Sequence, residues 1–165
     1  MKSNFKLGGV FIVTCYDKYG NIEWQDRSKN LVVTVGLEHI LDGLFSLDGE
    51  SVNPNYYLGM IDASPTIVAS DNLASHVGWN EFVDYNELTR QEFIESRTGL
   101  TVDNSASKAV FSINVNTTIG GTLICSVDTG NTGLLLAASA FSGGDKPVIV
   151  GNTVEVQYDF SASSS

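Results

Sequence analysis

The residues best able to do chemistry crowd into one stretch. Between Gly78 and Phe93, GWNEFVDYNELTRQEF sets Trp79, Phe82, Tyr85 and Phe93 among four carboxylates and a single arginine, Arg90, with His76 two residues upstream. Carboxylate pairs such as Glu81 with Asp84, or Glu92 with Glu95, are of the kind that glycoside hydrolysis uses, with two carboxyl groups ~5 to 10 Å apart across the scissile bond. In a chain with nineteen acidic residues such pairs also arise by chance. His76 has no second histidine at metal-binding spacing, so it supplies one zinc ligand of the three or four required. His39, beside Glu38 and Asp42, reads as part of a solvated helix face. DKYGN and DNSAS lack the alternating oxygen ligands and the glycine of a calcium loop. No GxSxG, P-loop or strand-borne GxGxxG is present. The expectation is a protein without enzymatic activity, metal or cofactor.

The stretch itself fits neither a period of 3.6 nor a period of two over its length. It lies in a long interval between clear strands, and such intervals in compact domains usually cover something or bind something. Two readings stay open. Its aromatic residues plug the end of the fold, or Trp79, Phe82, Tyr85 and Arg90 form a protein contact, since buried aromatic and arginine anchors carry most interface energy.

Charge narrows the partners. Nine basic residues against nineteen acidic ones leave a net charge of −10, with no cluster of lysine or arginine. Nucleic acid requires a basic stripe to neutralise phosphates, and an anionic membrane repels such a surface. The apolar run Val10–Cys15 is too short for a membrane span or a signal segment, so synthesis in the cytosol is expected. Cys15 and Cys125 each sit in an apolar run and read as small buried hydrophobes rather than as a disulfide or a reactive thiol.

The elements that must position the stretch are mostly strands. FIVTCY, DKYGN and IEWQ read as a hairpin turning at Tyr19-Gly20-Asn21. AVFSINV alternates Ala109, Phe111, Ile113 and Val115 with polar residues, and IGGTLICSV does so through Ile119, Leu123, Cys125 and Val127, with NTT between them as a tight reversal. TVEVQYDF places Val154, Val156, Tyr158 and Phe160 on one face. NYYLGMI is a further strand; SLDGESVNPN and DASPTIVASDN are loops. One helix interrupts the series. Leu37, Ile40, Leu41, Leu44 and Phe45 draw an apolar stripe over residues 35–46, with Thr34 as its N-cap, and the helix is expected to close an end or edge of the fold. Residues 1–160 then form one all-β sandwich, and 161–165 a mobile tail with nothing to bury.

NLVVTVGLEHILDGLF, YYLGMIDASPTIVASDNLASHVGWNEFVDYNELTR, VDNSASKAVFSINVNTTIGGTLI and the closing VEVQYDF together resemble the small structural proteins of tailed-bacteriophage virions. In particular they are similar to head decoration, or cement, proteins, over residues 7 to 160. The resemblance implies a jelly-roll-like antiparallel β-sandwich on the capsid surface. Its implied partner is the major capsid protein, and it allows homo-oligomers there. It carries no defined site motif. The alternative is a carbohydrate- or receptor-binding β-sandwich module of the tail, whose exposed aromatics would stack on sugars.

Overall fold

A computed structural model describes residues 5–45 and 55–164. Two antiparallel sheets pack face to face, as expected. The first takes β1 (Phe5–Tyr16), β2 (Ile22–Lys29), β7 (Ser96–Thr98), β8 (Thr101–Asp103), β9 (Ala109–Ser112) and β13 (Thr153–Ser164). Its order is β2-β1-β13-β8-β7, and β9 also pairs with β13. The second takes β3 (Leu31–Val32), β4 (Tyr57–Asp62), β5 (Glu81–Phe82), β6 (Gln91–Glu92), β10 (Thr117–Cys125), β11 (Leu135–Ala140) and β12 (Lys146–Val148). It is ordered β3-β11-β10-β4-β5, with β12 on β10 and β6 on β4.

Alternation in β1 and β13 builds the inner layer. Phe11 and Val13 from β1, with Val154, Val156 and Tyr158 from β13, meet Leu58 and Met60 from β4 and Ile119 and Ile124 from β10. The ring of Phe11 stacks on that of Tyr158 at 4.4 Å. The second sheet is buried on its other face too. Ile61, Leu123, Cys125, Leu135 and Ala138 form a separate cluster with Leu73 and Trp79 from the loop after β4, and with Val33 ahead of the helix. Coverage on both faces leaves seven consecutive residues of β10, Ile119 to Cys125, buried.

Three expectations from the sequence need correction. The single face drawn through Ile119, Leu123 and Cys125 is divided. The register shifts between Ile119 and Gly121, and this bulge sends Ile119 to the inner core but Leu123 and Cys125 to the outer cluster. NTT is not a tight reversal, because β9 and β10 belong to different sheets. Residues 113–116 cross between them, tied by Ile113 N–H to the Asn152 carbonyl and by Val150 N–H to Asn116 Oδ1. Ser161–Ser164, expected to be mobile because they have nothing to bury, are paired instead. They continue β13 opposite Phe5–Gly8, held by backbone hydrogen bonding.

The β1–β2 hairpin turns where expected, with the Asp17 carboxylate accepting from the N–H groups of Tyr19 and Asn21. The helix, α1 (Thr34–Phe45), also lies within a residue of its expected start, at the edge formed by β3 and β11. Its first bonded turn begins one residue earlier than a Thr34 cap implies. Leu37 N–H donates to the Val33 carbonyl, and Thr34 N–H donates to the carbonyl of Ala69. Its orientation differs more. A Cβ on Gly36 would collide with the carbonyl oxygen of Leu136, so the bare glycine lets the helix backbone approach β11. Val35 and Ile40 are thereby turned inward, while Leu37, Leu41 and Leu44 stay exposed. The Phe45 side chain and the loop 46–54 lie outside the described residues.

This packing predicts a sign reversal for one substitution. By helix propensity, Gly36→Ala should stabilise the protein by about 1 kcal/mol. The collision with Leu136 outweighs that, and we expect a net loss of about 1 to 2 kcal/mol in urea unfolding.

Candidate protein-contact surface

Residues 63–80 cross the outside of the second sheet through Leu73 and Trp79, and residues 81–95 run along its edge, where β5 and β6 pair with β4; a few polar bonds hold them. Buried Asp71 accepts from Val68 N–H and, at 3.0 Å, from Trp79 Nε1. That bond seats the indole in the outer cluster, and the His76 ring stacks on it at 3.6 Å. Thr66 N–H donates to the Gly78 carbonyl, where the absence of a side chain lets the two strands of the loop touch. Downstream, β5 pairs with β4 through Met60 and Phe82 and through Ile61 and Glu81. Tyr85 bridges to Ile113 and sets its ring edge-on to Phe111 at 4.8 Å. The Glu87 carboxylate takes both the N–H and the hydroxyl of Ser112, which ties the segment to the end of β9.

Arg90 holds the centre. Its Nε and Nη2 donate to the two Glu81 carboxylate oxygens, each at 2.7 Å. Nη1 donates to the Val127 carbonyl at 2.9 Å and Nη2 to that of Gly130 at 2.8 Å. One guanidinium therefore locks β5, the segment after it and the β10–β11 loop. Burial is the largest single influence and lowers the Arg90 pKa, but the hydrogen bonds to Glu81 and the charge interactions with Cys125, Glu81 and Tyr85 together raise it, so the group stays charged.

The four contact candidates accordingly lie inside. Trp79, Phe82, Tyr85 and Arg90 are 5, 2, 7 and 6 % exposed, so in the isolated chain their side chains offer almost no contact area. Phe82, Tyr85 and Phe93 fill the core between the sheets, the Phe93 ring edge-on against Tyr158, whereas Trp79 sits in the outer cluster and does not plug an end of the fold. The sequence conceals this because each aromatic points inward from an irregular backbone with no period to reveal it. What faces out is aliphatic: Val77, Val83, Leu88 and Ile94, with Val77 and Leu88 almost fully exposed. Exposed Asp84, Glu92 and Glu95 lie among them. Val83, Tyr85, Leu88 and Asp128 line a hollow of about 160 Å³ over the Arg90 clamp.

The arrangement does not assemble the acid–base pair considered from the sequence, because both Glu81 oxygens are committed to Arg90. Among the described residues no group of three or more histidine, cysteine or acidic side chains is placed to hold a metal. None of their helices is long and apolar enough to cross a membrane. Cys15 and Cys125 are both buried and free, and burial pushes the Cys15 thiol up to about 12. No protein-family model matches the chain, and no curated protein does.

Two predictions come from this geometry. Arg90→Ala leaves the Glu81 carboxylate poorly solvated and unpaired, and should cost about 3 to 5 kcal/mol in denaturant unfolding. Replacing the pair together by Arg90→Met and Glu81→Leu should recover most of that loss. Tyrosine ionisation gives the second. Burial, aided by Glu81, raises the Tyr85 phenol to about 12, and burial raises Tyr56 and Tyr158 as well. Such groups contribute stability that is complete below the unfolded tyrosine value near pH 10 and is lost as pH climbs through the folded values. Unfolding free energy measured from pH 9 to 12 should therefore fall by up to about 1.4 kcal/mol per pH unit for each buried tyrosine, and Tyr85→Phe should flatten the fall.

Proposed function

We propose that the chain is a structural virion protein that binds the outer surface of a phage capsid and stabilises the assembled shell. One observation carries this reading: the segment 63–95 turns its aromatic residues into the core and leaves Val77, Val83, Leu88 and Ile94 exposed, with Asp84, Glu92 and Glu95 exposed in the same stretch. A stiff surface of exposed aliphatic groups suits contact with another protein, because its geometry is set before binding and little ordering cost remains. The acidic surface favours approach to basic patches by electrostatic steering. The resemblance to head decoration proteins supplies the partner, the major capsid protein, and homo-oligomers on the shell accord with it. Nucleic acid and membrane remain poor partners for a surface of this charge.

Stabilisation follows from linkage. A protein that binds assembled shell better than loose subunits adds about 2.7 kcal/mol per site when its free concentration is a hundred times the dissociation constant. The alternative, a sugar- or receptor-binding tail module, gains no stacking platform from the inward aromatics. Among the described residues, Tyr19 at the β1–β2 turn is the exposed aromatic, with Lys18 Nζ 5.0 Å from its ring centroid.

The test compares virions with and without the gene product. Particles lacking it should release their DNA at lower temperature, and adding back purified protein should restore the wild-type value. Equal heat resistance of the two particles contradicts the proposal.

A further inference from the structure

The face that α1 turns away from the sandwich has no partner within the described chain. Leu37, Leu41 and Leu44 are 45, 53 and 67 % exposed, and they fall at i, i+4 and i+7 on a single stripe. An apolar stripe left outside a fold that has already buried the helix through Val35, Gly36 and Ile40 marks a contact, not a core. Its flanks carry Glu38 and Asp42, and α1 contains no lysine or arginine.

These charges bear on what covers the stripe. A second copy brings another net charge of −10 against the first. Three half-exposed leucines on one short helix also fall well short of the ~800 Å² per partner that a stable interface buries. A concave groove does better, because it takes the leucines as anchors and wraps the acidic flanks as well. We infer that α1 docks through Leu37, Leu41 and Leu44 into an apolar groove bordered by lysine or arginine on another protein. This rests on the reading above and makes that protein the shell subunit. The hydrogen bond from Thr34 N–H to the Ala69 carbonyl joins α1 to the segment 63–95, so the two contacts lie on adjoining elements.

The test uses full-length protein and undecorated heads of the phage that encodes it, with binding followed by co-sedimentation. Leu41→Glu, and separately Leu37→Glu with Leu44→Glu, should bind at least tenfold more weakly while their unfolding midpoints match the wild type. Glu38→Lys with Asp42→Lys should also weaken binding and reduce its dependence on salt. If the wild type binds and the leucine variants bind equally well, the inference is overturned while the capsid reading stands. If the wild type does not bind, both are overturned. A wild-type dimer in analytical ultracentrifugation that Leu41→Glu dissociates would assign the stripe to a second copy. A large fall in the unfolding midpoint of the leucine variants would mean that the chain's own residues cover the stripe. Either result overturns the inference.

Discussion

A single buried guanidinium organises the outer part of this molecule. Arg90 is the point at which the strand β5, the irregular segment after it and the β10–β11 loop are joined, through four hydrogen bonds of 2.7 to 2.9 Å. Taking a charge out of water is expensive, and a buried ion pair often stabilises a fold no better than hydrophobic residues of the same volume. What it supplies is geometry. The planar fork of arginine here meets the carboxylate side-on through Nε and Nη2, and the two carbonyls fix the remaining direction. With Glu81 held on β5 opposite Ile61, that orientation passes directly to the neighbours of Arg90. Phe82 and Tyr85 are set inward, and Val83 and Leu88 outward.

The second consequence is architectural. Most sandwiches bury one face of each sheet, whereas here the second sheet is covered on both. The inner cover is the first sheet and the outer is the loop that carries Trp79, while α1 caps the edge, with Val35 toward the outer cluster and Ile40 toward the inner one. The outer cover is tied to α1 by the bond from Thr34 to Ala69 and to itself by the Asp71–Trp79 bond. Apolar side chains left over on this cover meet no further layer among the described residues.

The parts of this fold that were legible in the sequence are those with a period. The alternation of Val154, Val156 and Tyr158 identified β13, and the Tyr19–Asn21 turn identified the first hairpin. The apolar spacing of α1 identified a helix but not its orientation, because a period reports which residues share a face and not which face wins. Gly36 decided that, through a close approach to Leu136 that only tertiary structure reveals. The bulge at Gly120-Gly121 likewise broke a face that the spacing had drawn as continuous. The pairing of Ser161–Ser164 was invisible for a different reason: it rests on backbone groups, which every residue possesses. For the contact surface, residue type was a poor guide. Aromatic side chains were the natural anchors to choose, and the fold used them as filling and put aliphatic ones outside.

The central proposal is that the exposed aliphatic residues of the segment 63–95 work by fitting a protein shell. Electron cryo-microscopy of undecorated heads incubated with the purified protein tests it most directly. The account predicts density for the sandwich at symmetry-related positions, with the segment 63–95 turned toward the shell. Heads without added density, or bound molecules whose segment 63–95 faces solvent, would contradict it.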